Sequence, residues 1–135
     1  MTRRLSLALL AAAIAFCVFV PVAAQSGTSA VAREWKGRVP AAKADEYYGY
    51  LVESGIKELR AVPGSLGVEV LRRKDGDAVE FTVISYWVSR ESIKAFAGED
   101  IDKPHHLPKD KDCLVELPKR VIHYDVALAD LAGVR

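Results

Sequence analysis

Paired cysteines, an excess of charge of either sign, and long apolar runs are all scarce in this 135-residue chain. Its two cysteines are Cys17 and Cys113. Cys17 falls in an N-terminal leader, so a single thiol remains and no internal disulfide is available. A domain of this kind is stable by packing alone. No base is marked beside Cys113, which reads as a small, partly buried apolar residue. Lysine and arginine number 19 against 18 aspartates and glutamates. Losing Arg3 and Arg4 with the leader turns the formal +1 into −1. No basic excess remains to neutralise phosphates, which excludes nucleic acid as a partner.

One apolar run stands out, Leu5–Val20. It stops at Pro21, short of the ~20 residues that span a bilayer. Met1–Arg4 before it carries two arginines, and Pro21–Ala24 after it ends in small residues. That order is a secretory signal peptide over 1–24, cleaved after Ala24. The mature chain is expected to be exported, periplasmic or secreted, with no membrane association after cleavage. Residues 25–29 read as a polar tether, 30–128 as one domain and 129–135 as a tail. There are no internal repeats.

Within the domain the periodicity is legible. Ala30–Val39 reads as a strand around Trp35, and Pro40 opens a helix at its first turn, where proline is tolerated. Ala44, Tyr48, Leu51, Gly55, Leu59 and Val62 form the inward stripe of a helix over about 41–62. Gly55 within it implies close packing or a break in the helix. Leu66–Lys74 and Ala78–Val88 read as strands joined by Asp75-Gly76-Asp77 in a hairpin. Ser89 caps a second helix that Gly98 ends. Glu99–Asp112 reads as a loop with a short helical turn, and Lys119–Leu128 as the fourth strand. The order βαββαβ predicts an α+β, ferredoxin-like fold: a four-stranded antiparallel sheet with both helices on one face.

The third strand is apolar on both of its faces, with Val79, Phe81, Val83, Ser85 and Trp87 on one and Thr82, Ile84, Tyr86 and Val88 among the other. Helices cover one face, and the other needs a second cover. A second copy of the chain packed sheet to sheet is the economical solution, so a homodimer is expected.

Several short stretches now agree in order and spacing: Trp35-Lys36-Gly37, Glu46-Tyr47, Tyr50-Leu51, Pro63-Gly64-Ser65-Leu66-Gly67, Val70-Leu71-Arg72-Arg73, Glu80-Phe81, Trp87-Val88-Ser89, Ile93–Gly98 and His123-Tyr124-Asp125-Val126. Through them residues 35–126 resemble the antibiotic biosynthesis monooxygenase-like group of the dimeric α+β barrel superfamily. The resemblance implies a dimeric α+β barrel and a pocket between sheet and helices, lined by the tryptophan that ends strand three. It also implies cofactor-free oxygenation of a small aromatic, with haem degradation as a further activity of the group. Enzymes of the group use an asparagine on the first strand, and this chain contains no asparagine. Haem degraders place a histidine on the second helix, and Ser89–Gly98 has none. Neither a cofactor nor a metal is therefore expected.

Candidate residues follow. Trp87 either lines the pocket or fills core, and Trp35, Phe96 and His106 are the further pocket candidates. Tyr48 and Tyr86 are the phenols placed to border a cavity, if they are more than amphipathic core edges. His123 is either a base or a satisfied interface histidine. His105 and His106 with Asp100, Asp102 and Asp110 suggest a metal, but adjacent histidines in an extended loop point apart. A lid over the pocket mouth, with His106 tipping inward, fits better. Two functions are consistent with these residues: a cofactor-independent monooxygenase acting on a small aromatic of the phenol or quinone type, or a non-catalytic homodimeric module binding a small hydrophobic ligand.

Overall fold

Strand β3, Ala78–Trp87, is the spine of the molecule. In the computed structural model, which describes residues 29–134, it pairs antiparallel on both sides, with β1 (Val31–Pro40) and with β2 (Ser65–Asp75). A short β4, Ile122–Asp125, joins the free edge of β1. The order β2-β3-β1-β4 is the ferredoxin-like α+β arrangement. The stretch read as a signal peptide, 1–24, and most of the expected tether, 25–29, lie outside the described residues. Among those described, no helix is long and apolar enough to cross a membrane.

Between β1 and β2 the chain forms a 3-10 turn (Ala41–Lys43), α1 (Ala44–Leu51), a π-helical turn (Val52–Ile56) and α2 (Lys57–Ala61). Both expectations for Gly55 hold. It lies in the π turn, where the helix departs from regular α geometry, and it is packed closely: a Cβ there would sit 3.0 Å from Leu107. Gly76 at φ +64 makes the two-residue turn between β2 and β3. Ser89 caps α3 (Arg90–Ala97), its hydroxyl accepting from Ser92 N–H at 3.2 Å. A further short helix, α4 (Asp110–Cys113), closes the long segment after α3.

Alternation along β3 decides what each face does. Phe81, Val83, Ser85 and Trp87 are buried under the helices, while Thr82, Ile84 and Tyr86 on the other face are half-buried. That second face continues through Leu71 on β2 and Ile122 and Tyr124 on β4, each about half exposed. Charged Glu34, Lys36 and Glu80 are interspersed on it.

Two boundaries differ from the sequence reading. Strand β4 is shorter than 119–128: it pairs with β1 only over Ile122–Asp125, and the Val121 N–H bonds to the Asp102 carbonyl instead. Strand β2 begins one residue before 66–74 and ends one after it, and Leu66 stands in its irregular start. A register shift between Ser65 and Gly67 turns it outward, 57% exposed.

Candidate functional site

Beneath the helices lies a cavity whose walls are mostly apolar. Leu51, Gly55, Ile56 and Leu59 come from the helical segment, Trp35 and Val83 from the sheet, Phe96 from α3, and His105 and Leu107 from the segment after it. Arg33, Tyr47, Ser85 and Asp110 supply its polar lining. Its volume is about 40 Å³, room for roughly three waters at the ~10–15 Å³ each needs. It is a narrow site.

The segment after α3 is pinned at three places. Tyr47 Oη donates to Asp110 Oδ1 at 3.0 Å, and Leu107 N–H donates to Asp110 Oδ2 at 2.8 Å. Lys109 N–H donates to Tyr50 Oη at 3.1 Å, and Arg33 Nη2 donates to the Lys103 carbonyl at 2.8 Å. Asp110 is 1% exposed, a buried carboxylate satisfied by its donors. Burial, then the Asp110 charge, pushes the Tyr47 phenol far above its ordinary range. Tyr47 is a structural donor and stays protonated.

Phe96 is the hub of the polar end. Its ring centroid lies 4.5 Å from that of His105 and 6.0 Å from that of Trp87, and the Arg33 guanidinium carbon sits 5.7 Å from it. His105 Nε2 in turn lies 3.3 Å from Glu58 Oε1.

Of the residues singled out from sequence, Trp35 and Phe96 line the cavity. Trp87 does not. It is fully buried behind Phe96, in a cluster with Val31, Leu59 and Ile93, and its indole N–H donates to Ser85 Oγ at 2.9 Å. Its effect on the cavity passes through Phe96. Tyr86 lies on the opposite face of the sheet, because residues 86 and 87 alternate; its hydroxyl donates to Glu69 Oε2 at 2.7 Å. That bond, then burial, raises its pKa to about 12. Tyr48 is 43% exposed over Phe81 and does not reach the cavity. The expectation that the two phenols border it is therefore corrected.

The histidines sort differently from the sequence reading as well. His105 faces the cavity, and His106 turns to Asp110, Nδ1 to Oδ2 at 4.0 Å. Extended backbone does send neighbours apart, but which one points inward is set by the Asp110 anchor. His123 pairs across the sheet with Arg33 and lies outside the cavity lining. Its Nδ1 is 3.2 Å from Asp102 Oδ1 and its Nε2 is buried without a partner. Burial, then the Arg33 charge, lowers its pKa. Among the described residues no group of three metal-ligating side chains converges.

Sequence reasoning missed Arg33 and Glu58, and weighed His105 only as a metal candidate beside His106. Arg33 carried a signal: a charged residue on the same face of β1 as Trp35, Gly37 and Val39, where alternation demands an apolar one.

The sequence model of the family "Antibiotic biosynthesis monooxygenase" (ABM) matches residues 31–106. Among curated proteins no relative matches. Solved structures share the fold at low identity. A Nitrosomonas europaea protein of the antibiotic biosynthesis monooxygenase type is 17% identical with a TM-score of 0.54, over 75% of this chain and 92% of that one. The haem degrader MhuD of Mycobacterium tuberculosis, with two haems in its active site, is 20% identical with a TM-score of 0.51, over 74% and 98%. A conserved protein from Methanosarcina mazei is 20% identical with a TM-score of 0.51, over 73% and 93%. Haem does not fit the residues here. Helix α3 carries no imidazole, and a cavity of about 40 Å³ is far smaller than a macrocycle. The match spans more than half of the sequence, in the order and topology described, and the chain belongs to the ABM family.

Proposed function

We propose that this chain is an exported ABM protein whose cavity binds a small aromatic and supports cofactor-independent monooxygenation. The observation that carries the reading is His105: it faces an aromatic-walled cavity, with its Nε2 3.3 Å from the Glu58 carboxylate. A benzylic CH2 or phenolic O–H placed against the imidazole loses its proton there. For a CH2 substrate, the carbanion adds O2 and the adduct sheds water. The carbon ends as C=O, with one oxygen of O2 retained and the other leaving as H2O with both hydrogens. The walls contribute orientation and exclusion of bulk water. Export rests on the leader sequence.

The test is oxygen uptake by the mature chain with a hydroquinone or another one-ring substrate. His105→Gln is expected to lower turnover by roughly 10²-fold or more, with Glu58→Gln intermediate. Unchanged uptake in His105→Gln would remove that residue from the chemistry. The second reading, a non-catalytic module, is favoured by one observation: the interior phenol, Tyr47, is committed to Asp110 and holds its proton. Ligand binding without oxygen uptake would select it.

A further inference from the structure

We infer that the cavity selects ligands bearing a carboxylate, received by the Arg33 guanidinium and the Trp35 indole N–H. The inference rests on the cavity being the ligand site, as proposed above, and names the class of ligand it takes.

Two donors carry it. Arg33 is 3% exposed and Trp35 7% exposed, and both line the cavity. Arg33 Nε and Trp35 Nε1 are buried polar atoms with no hydrogen-bond partner. They sit two residues apart on β1, so their side chains leave the same face of the sheet. Both are donors that cannot accept, and what they require is an acceptor.

Charge makes that acceptor an anion. Arg33 bonds one neutral carbonyl and lies over one aromatic ring. Among the described residues no carboxylate stands within ion-pair distance of it. Asp102, the acidic group it senses, is already engaged by His123 at 3.2 Å and Arg120 at 3.5 Å. Asp110, at the same cavity, spends both oxygens on Tyr47 and Leu107. Burial accordingly lowers the Arg33 pKa to about 10, the direction expected of a cation short of counter-charge. A buried cation without a counter-ion is costly, and a neutral ligand or a water would leave it so. A planar fork such as guanidinium matches a carboxylate in shape and charge. The apolar walls receive the rest of the molecule; a single ring is already more than the closed cavity holds and enters only as its walls give way.

The experiment compares benzoate with benzamide, which have the same shape and differ in charge. Indole and arginine Nε–H resonances of the mature protein are followed by NMR during each titration, the Trp35 signal being identified in Trp35→Phe. Benzoate is expected to shift both the Trp35 and Arg33 signals saturably and to bind roughly tenfold or more tightly than benzamide. Arg33→Gln should erase the preference, with far-UV circular dichroism confirming its fold. Equal affinity for the two probes would overturn carboxylate selection while leaving the cavity a ligand site. Binding of neither at millimolar concentration would overturn both. The wild-type comparison decides the question even if Arg33→Gln fails to fold.

Discussion

The indole of Trp35 lies over the backbone of Gly37, two residues further along β1, so closely that a Cβ at position 37 would stand 2.8 Å from Trp35 Cζ2 and 3.0 Å from Leu114 Cδ2. The glycine is the space in which the tryptophan ring lies, and the ring is a wall of the cavity.

Gly37→Ala is therefore expected to push the ring out of place. Overpacking of this kind costs about 1–3 kcal/mol, read from the midpoint of a urea transition. The displaced wall should also shift tryptophan fluorescence and weaken any cavity ligand. An unchanged emission spectrum would show that Leu114 and the ring reseat without loss.

Trp87→Ala is expected to act first on stability. The side chain is fully buried and its N–H is bonded to Ser85. Truncating such a residue costs about 3–5 kcal/mol, a large part of the stability of a domain this size. Ligand binding should fall as a consequence, through the loosened Phe96. Wild-type stability with selective loss of binding would return Trp87 to direct contact with ligand.

His123 predicts a pH dependence. Its folded pKa is lowered by burial and by Arg33, so below the unfolded value of ~6.5 the unfolded chain binds more protons than the folded one. The stability contributed by the neutral imidazole is present above that pH and is lost as pH falls toward the folded pKa. Urea midpoints at pH 7.5 and pH 5 should differ more in the wild type than in His123→Gln. The same difference in both proteins would assign the acid sensitivity to carboxylates.

The open sheet face predicts assembly. Leu71, Ile122 and Tyr124 are each about half exposed there, beside half-buried Ile84 and Tyr86. Sedimentation of the mature chain at micromolar concentration is expected to give a dimer, with an interface of at least ~1,000 Å². Ile122→Glu should shift it toward monomer while leaving the helix-side cavity intact. A wild-type monomer would mean that the charges scattered over this face suffice to keep it in water.

The sequence by itself determined the architecture, because period-two and period-3.6 patterns, the Asp75-Gly76-Asp77 turn and the Ser89 cap are local. Each is read from residues a few positions apart, and the alternating burial along β3 follows from strand geometry alone. The same alternation was enough to separate Tyr86 from Trp87. Only the tertiary structure decided the site. Whether Trp87 or Trp35 meets a ligand depends on how far Phe96 and the 99–109 segment reach over the sheet. Which histidine turns inward depends on Asp110, held by Tyr47 from 63 positions away in sequence. Glu58 and His105 meet across helix and loop, and the unpaired charge of Arg33 exists only because Asp102 is taken by His123 and Arg120. Such pairings have no sequence period, since they are set by which side chains the packed core leaves within reach of one another.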